Sequence, residues 1–388
     1  MINLNDFQID KKNDGFENVL SVKRIIEDYF AQEKLTKLSK KFANFLNCPQ
    51  EVISIKSKQI LSSKFDYKFG KFSIKYKIFN LIKDFLLILS VFSILKIFNK
   101  NISQKKFDII LDDVEHAQQI LIFNKLLKKF NDSVIFTKRP FIVNNYELDS
   151  LNFKFSNFFL LEKNTTNFKL FDFVEINWKL LRQSYADKFN YFIFFKSILF
   201  SFLKYSYLFQ KFNAKYLIHD RYYRTCPIRN YIFKKKGGKK ICCTQIHLLE
   251  SSISLFSDID IFLSFGNENF SKEKFKKLGG NINKSHPVGS IRMEYLFHKK
   301  TKIKKYANFD IAFIGINIHN WTYVSEEINK NYYKVFEWLK NISLKFRECE
   351  ILIKHHPSWW GDPKEKAIID NTKIKTLLRE KKPSKFDF

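Results

Sequence analysis

Ala214-Lys215-Tyr216-Leu217-Ile218-His219-Asp220 and Lys240-Ile241-Cys242-Cys243-Thr244-Gln245 are two short apolar runs that each stop at polar residues. Between them lie a helical segment, Ile228 to Lys235, and the pair Gly237-Gly238. Continuous apolar runs of this length, bounded by breakers, predict buried strands. A glycine just past a helix predicts a left-handed C-cap that turns the chain back. Strand, helix, cap and strand together predict a parallel pair joined by a right-handed crossover.

The same pattern extends in both directions. Upstream, Phe107–Asp112 predicts a strand, and Val114 to Phe130 an amphipathic helix carrying Ile120, Phe123, Leu126 and Leu127. Further strands are expected at Ser133–Thr137 and Asn157–Leu161. Downstream, Ile259–Phe265 predicts a strand that ends at Gly266. A fresh unit begins with a strand at Phe309–Gly315, continues through a helix at Glu326–Phe346 and returns at Glu350–Lys354. Lysines cluster and periodicity fades at residues 294–308, where one unit should give way to the next. The fold class is therefore α/β with two Rossmann-like units. The expected organisation is a helical region at 1–100, an N-terminal Rossmann-like domain at 101–300 and a partial C-terminal one at 301–388. The chain has only ten glycines and neither a GxGxxG nor a P-loop, which argues against a dinucleotide fingerprint.

The region before residue 100 has a different texture. Leu35, Leu38, Phe42 and Phe45 recur at helical spacing, so one face of that segment can pack. Phe85 to Leu95 is uncharged throughout, with Asp84 and Lys96 at its ends. As a helix it would span about 16 Å, roughly half a bilayer core, so it is too short to cross. A second apolar stretch, Tyr191 to Phe202, is interrupted by Lys196. Both suit helices lying in a membrane interface, and both equally suit buried core helices. Between Glu51 and Lys106 there are twelve lysines against three acidic residues, which favours an anionic membrane surface for the first stretch.

Composition narrows the classes further. At 388 residues and 45% hydrophobic content the chain can bury substantial cores and is not a disordered protein. The formal charge of +29 resembles a nucleic-acid reader, yet only nine of the 68 basic residues are arginine. Bidentate contacts to bases and phosphates rely on arginine, and no nucleic-acid-binding motif is present. The abundant lysine comes with abundant Asn, Ile and Phe, the residue set of an AT-rich genome, so no nucleic-acid partner is implied. The cysteines Cys48, Cys226, Cys242, Cys243 and Cys349 form no metal-ligand spacing and suit buried thiols in a reducing compartment. Met1 to Asp14 contains no apolar core of a secretory signal, which makes a cytoplasmic location the expectation.

Three predicted loops follow strand carboxyl ends, the edge where open α/β sheets bind ligands. They are Gln245-Ile246-His247, then His286-Pro287-Val288-Gly289-Ser290-Ile291-Arg292, then Lys354-His355-His356-Pro357. Imidazole suits proton transfer near neutral pH, while backbone amides, lysine and arginine suit phosphate. His355 and His356 are the only adjacent pair among eight histidines.

This order of motifs resembles the GT-B bacterial glycosyltransferases of surface polysaccharides. It is also similar to the CDP-glycerol glycerophosphotransferases of teichoic-acid synthesis. Members tend to carry Gln-His-Gly after an N-domain strand, Gly-Ser-Pro-Arg at the domain crossover and Lys-x-His-Pro in the nucleotide-binding domain. Here Gln245-Ile246-His247 has an inserted residue and no glycine, and Ile291 stands where the family has proline. Lys354-His355-His356-Pro357 matches best.

The resemblance covers roughly residues 107–360 and implies a transferase docked on the inner face of the cell membrane. It would move a sugar from a nucleotide-sugar donor to a glycan or lipid-linked acceptor, with no cofactor and no resident metal. His247 and His356 are the catalytic candidates it implies, His247 as base. Gln245, Ser290, Arg292, Lys354 and His355 are the substrate-binding candidates, with Lys354 and His356 facing donor phosphates. The alternatives are a CDP-glycerol-type polyol-phosphate transferase and a non-catalytic membrane-associated scaffold. Only 31 residues follow Pro357, fewer than a complete GT-B donor domain needs, so a C-terminally truncated copy is expected.

Overall fold

The structure, a computed structural model, describes residues 4–9, 15–66, 70–74, 77–97, 104–114, 123, 129–130, 133–137, 148–150, 169–219, 221, 225–245, 255–290, 309–315, 326–354 and 363–377. The chain is α/β, with parallel sheets and helices, and divides into two compact units. The first comprises Met1–Phe7, Val19–Phe65 and Phe72–Lys299, and the second Gln8–Asn18, Asp66–Lys71 and Lys300–Phe388.

Among the described residues, seven strands form the main sheet of the first unit: β1 (Lys105–Val114), β2 (Ser133–Thr137), β3 (Leu148–Ser150), β4 (Phe212–His219), β5 (Lys240–Thr244), β6 (Asp258–Ser264) and β7 (Asn281–Pro287). Their order is β3-β2-β1-β4-β5-β6-β7, and every neighbouring pair is parallel. This is the order of a doubly wound sheet, with its reversal between β1 and β4. The central strands are apolar because both faces are covered: Ile109, Ile110, Leu111, Leu217, Ile241, Cys243 and Phe262 are buried. Strand β7 reads Asn-Ile-Asn-Lys-Ser-His-Pro and lies at the sheet edge, where polar side chains can stay in water. The expected strand at Asn157–Leu161 and most of the expected helix at Val114–Phe130 lie outside the described residues.

Among the described residues the helices before residue 300 are α1 (Gly15–Phe30), α2 (Glu33–Leu46), α3 (Gln50–Ser62), α4 (Ile78–Ile97), α5 (Leu170–Asp187), α6 (Phe192–Lys211), α7 (Pro227–Lys235) and α8 (Glu268–Lys277). The apolar stretch Tyr191–Phe202 falls in α6, whose Phe192, Phe194, Phe195, Ile198 and Leu203 are fully buried. Its neighbours are protein side chains. Phe195 stacks on Phe42 of α2 at 4.8 Å, and Phe194 meets Phe30 of α1 edge-on at 5.8 Å. Each such ring contributes roughly 1.5–3 kcal/mol by burial. The other apolar stretch is α4, which buries Leu81 and Ile88, sets Phe85 edge-on to Phe192 of α6 at 6.2 Å, and is also fastened to α6 and the turn before it through polar atoms. The Lys196 ammonium donates to Asp84 at 2.7 Å, and the Asn190 amide donates to the same carboxylate at 3.2 Å. Helix α6 ends at Lys211 and β4 begins at Phe212, so the helix passes into the strand with no loop between them.

The second unit contains β8 (Ile311–Ile314), α9 (Glu326–Lys345), β9 (Ile351–Lys354), α10 (Pro363–Ile369) and β10 (Lys375–Leu377). Its three strands are parallel in the order β8-β9-β10, with Ile311 opposite Ile351 and Leu352 opposite Lys375. Tyr332, Phe336 and Leu339 of α9 close over Ile351 and Ile353 to make the core. The sequence pattern anticipates β8, α9 and β9. It misses α10 and β10, because Lys375-Thr376-Leu377 is too short and too polar to stand out.

Candidate functional site

Two of the expected substrate-binding residues lie on the same sheet edge. Gln245 directly follows β5, and its Oε1 accepts a hydrogen bond from the Phe265 amide at 2.8 Å. The side chain thus ties the ends of β5 and β6 together. Ser290 lies beyond β7, after Gly289, whose φ of 71° lets the chain turn away from the edge. The Val288 amide still donates to the Ser264 carbonyl at 3.0 Å, so the segment leaves the ladder only at Gly289. In the second unit Lys354 is the last residue of β9 and is exposed, while its carbonyl accepts from the Gly315 amide at 2.9 Å. His247, Arg292, His355 and His356 lie outside the described residues.

A better-formed site, which the motif reading did not identify, lies at the reversal of strand order in the first unit. A cavity of about 740 Å³ opens where β4 ends at His219. That is the place where doubly wound sheets take their ligands. One wall is a face of α6 that carries Lys196, Ser197, Ser201, Lys204 and Tyr205, residues one helical turn apart. The opposite wall comes from α3 and the residues after it, with Lys56, Ser62, Ser63 and Lys64. The floor is His219 with Thr225 and Cys226, which lead into α7.

The chemistry of the lining is consistent. Four lysines face one carboxylate, Asp84, which is already paired with Lys196. Hydroxyls come from serines of both walls, from Thr225 and from Tyr205. The Thr225 Oγ1 is buried and meets no hydrogen-bond partner among the described residues. A buried hydroxyl without a partner is costly, and a ligand oxygen would satisfy it. His219 is almost wholly buried, and its Nδ1 accepts from the Arg221 amide at 3.2 Å. With Nδ1 accepting, the neutral ring carries its proton on Nε2. Cationic ammonium groups, hydroxyl donors and an imidazole suit an anionic ligand rich in oxygen, such as a phosphate ester.

Beneath the cavity floor lies an ion pair that fixes this corner of the sheet. Arg229 of α7 is fully buried, and its Nη1 donates to Asp112 of β1 at 2.7 Å. Its Nε and Nη2 donate to the Asn230 Oδ1 at 3.3 and 3.2 Å, and the Asn230 amide donates to the Asp258 carbonyl at 2.8 Å. Burial opposes the guanidinium charge, but the adjacent Asp112 carboxylate more than restores it, so proton affinity rises above the ordinary arginine value. The network joins β1, α7 and β6 around the strand-order reversal.

The cavity was hard to find in the sequence because its residues come from α3, α6 and the end of β4. Its lysines also merge into a chain with 68 basic residues. The available signal was His219 at a strand's carboxyl end, a position equivalent to the histidine loops that were singled out. No protein-family model matches the chain, and no curated protein is similar to it.

Proposed function

We propose that the chain is a transferase of GT-B type, acting on phosphate-bearing substrates at the cytoplasmic membrane surface. The observation that carries the reading is the cavity lined by lysines and hydroxyls at the strand-order reversal of the seven-stranded sheet. In this reading the cavity receives the phosphates of a lipid-linked acceptor, with Lys56, Lys64 and Lys204 offsetting their charge. His219 forms part of the floor against which the acceptor would rest. The donor, a nucleotide sugar, belongs to the second unit, where Lys354 stands exposed at the end of β9. His355 and His356 follow it in sequence. The resemblance supplies His247 as the base that takes the acceptor proton. Positive charge would then stabilise the departing diphosphate. The exposed apolar residues of α4, among them Phe79, Ile82 and Leu86, support placement on a membrane surface.

The test is ligand-induced thermal stabilisation followed by product analysis. Pyrophosphate and short prenyl diphosphates should raise the melting temperature, and Lys204→Ala together with Lys56→Ala should weaken that binding by at least about tenfold. Incubation with nucleotide sugars and a prenyl-diphosphate-linked sugar, whose hydroxyl can attack the donor, should release a nucleoside diphosphate. Release of CMP from CDP-glycerol would shift the assignment to polyol-phosphate transfer. If neither a nucleotide nor a diphosphate stabilises the protein, the transferase reading is wrong and a scaffold remains.

A further inference from the structure

Helix α5 carries a second apolar face that points to solvent. Phe171, Val174, Trp178, Leu181 and Tyr185 follow one another at alternating spacings of three and four residues, so they form a single stripe. Phe171 is 77% exposed and Trp178 is 67% exposed. The opposite face is already used, because Phe173, Ile176, Leu180 and Ser184 are buried against the protein. The outward stripe is therefore surplus to folding. Contiguous apolar surface of this kind marks an interaction site.

The identity of the occupant follows from what borders the stripe. Along one side runs a groove of about 390 Å³ between α2 and α5, lined by Lys34, Lys37, Lys41, Lys179 and Arg182. Three carboxylates take part in its ion pairs: Glu33 with Lys37, Glu175 with Lys41 and Lys179, and Asp187 with Lys34. Five cations against these three leave the groove cationic. At the end of the stripe the Lys188 ammonium sits over the Tyr185 ring at 4.1 Å. Tryptophan and tyrosine beside lysine and arginine is the pattern of groups that settle at a bilayer's headgroup level, ring inserted and cation outward. A second copy of this chain is a poor occupant, since pairing two α5 faces would bring two cationic grooves together on molecules of charge +29.

We infer that the α5 stripe and its basic groove form a docking surface for an anionic lipid bilayer. The helix lies in the interface plane with Phe171, Trp178 and Tyr185 inserted, and the groove holds lipid phosphates. The surface is separate from α4 and rests on the peripheral placement proposed above, not on the transferase chemistry.

The test uses the full chain and vesicles of phosphatidylcholine and phosphatidylglycerol in roughly equal amounts. Wild type should co-sediment with them at low salt, less so at high salt, and poorly with phosphatidylcholine alone. Phe171→Ser with Trp178→Ser, both at exposed positions, should weaken the association by at least about tenfold while circular dichroism stays unchanged. Lys179→Glu with Arg182→Glu should remove most of the salt-sensitive part. Binding by the Phe171, Trp178 variant equal to wild type overturns the assignment of α5, even if the protein still binds through α4. A wild type that ignores these vesicles overturns the membrane reading as a whole. A wild type that sediments as a dimer, made monomeric by the same substitutions, shows that the stripe is a protein interface and also overturns it.

Discussion

Asp112→Asn should be among the most damaging single substitutions in the first unit. The change preserves shape but leaves the Arg229 guanidinium, which is 0% exposed, without its carboxylate partner at 2.7 Å. Removing one partner of a buried pair costs about 3–5 kcal/mol, because the remaining charge is neither solvated nor compensated. That is a large share of a typical total stability of roughly 5–15 kcal/mol. At an m-value of about 3 kcal/mol/M, the urea midpoint should fall by roughly 1–1.7 M. Replacing both residues, Asp112→Leu with Arg229→Met, should cost less than either single change. The buried charge is then gone, and the residual loss is the Asn230 Oδ1, which no longer receives Nε and Nη2 of Arg229. An acceptor left unsatisfied in this way costs about 1–3 kcal/mol. The assay is urea unfolding followed by circular dichroism on wild type, both singles and the double. A single Asp112→Asn variant within about 1 kcal/mol of wild type would refute the argument, as would a double variant less stable than the singles.

Burial pushes the thiols of Cys48 and Cys242 up to about 12 from an ordinary value of 9.0. The folded state thus holds these protons more tightly than the unfolded state. Their contribution to stability is intact below about pH 9 and is lost as pH rises toward 12. Alkaline unfolding of wild type should accordingly be steeper than that of Cys242→Ala, and the thiolate absorbance that Cys242→Ala lacks should appear in wild type only with unfolding. In the second unit, Phe336→Ala removes a fully buried ring that meets Phe313 edge-on at 5.6 Å. It should cost about 3–5 kcal/mol by calorimetry, and a loss below about 1 kcal/mol would show that α9 does not anchor that core.

Much of the sheet was legible because its central strands bury both faces and so write themselves as unbroken apolar runs. Phe107–Asp112, Ala214–Asp220 and Ile259–Phe265 each anticipate an observed strand to within about two residues. The extent of β7 was not legible for the opposite reason: at the edge, Asn281, Asn283 and Lys284 face water and the run carries no apolar pattern, and His286 and Pro287, expected in the loop after a strand, are its last two residues. Helix α5 was masked because it is apolar on two sides, which blurs the periodicity of an ordinary surface helix. Of the expected substrate-binding residues, Gln245 follows β5, Lys354 ends β9 and Ser290 lies beyond β7, while the cavity was not foreseen. A cavity is a property of distant segments brought together, and no local pattern marked Lys56, Lys204 and His219 as neighbours.

The direct passage from Lys211 to Phe212 has a mechanical consequence for the cavity. The α6 wall and the strand that ends at His219 are two arms of one uninterrupted piece of chain, folded back without slack. A loop at the bend would let one arm slide past the other as a guest entered. Here a shift of α6 along its axis must pull β4 with it, against the ladders that hold β4 to β1 and β5. The α6 wall of the cavity is therefore tied in register to its floor at His219.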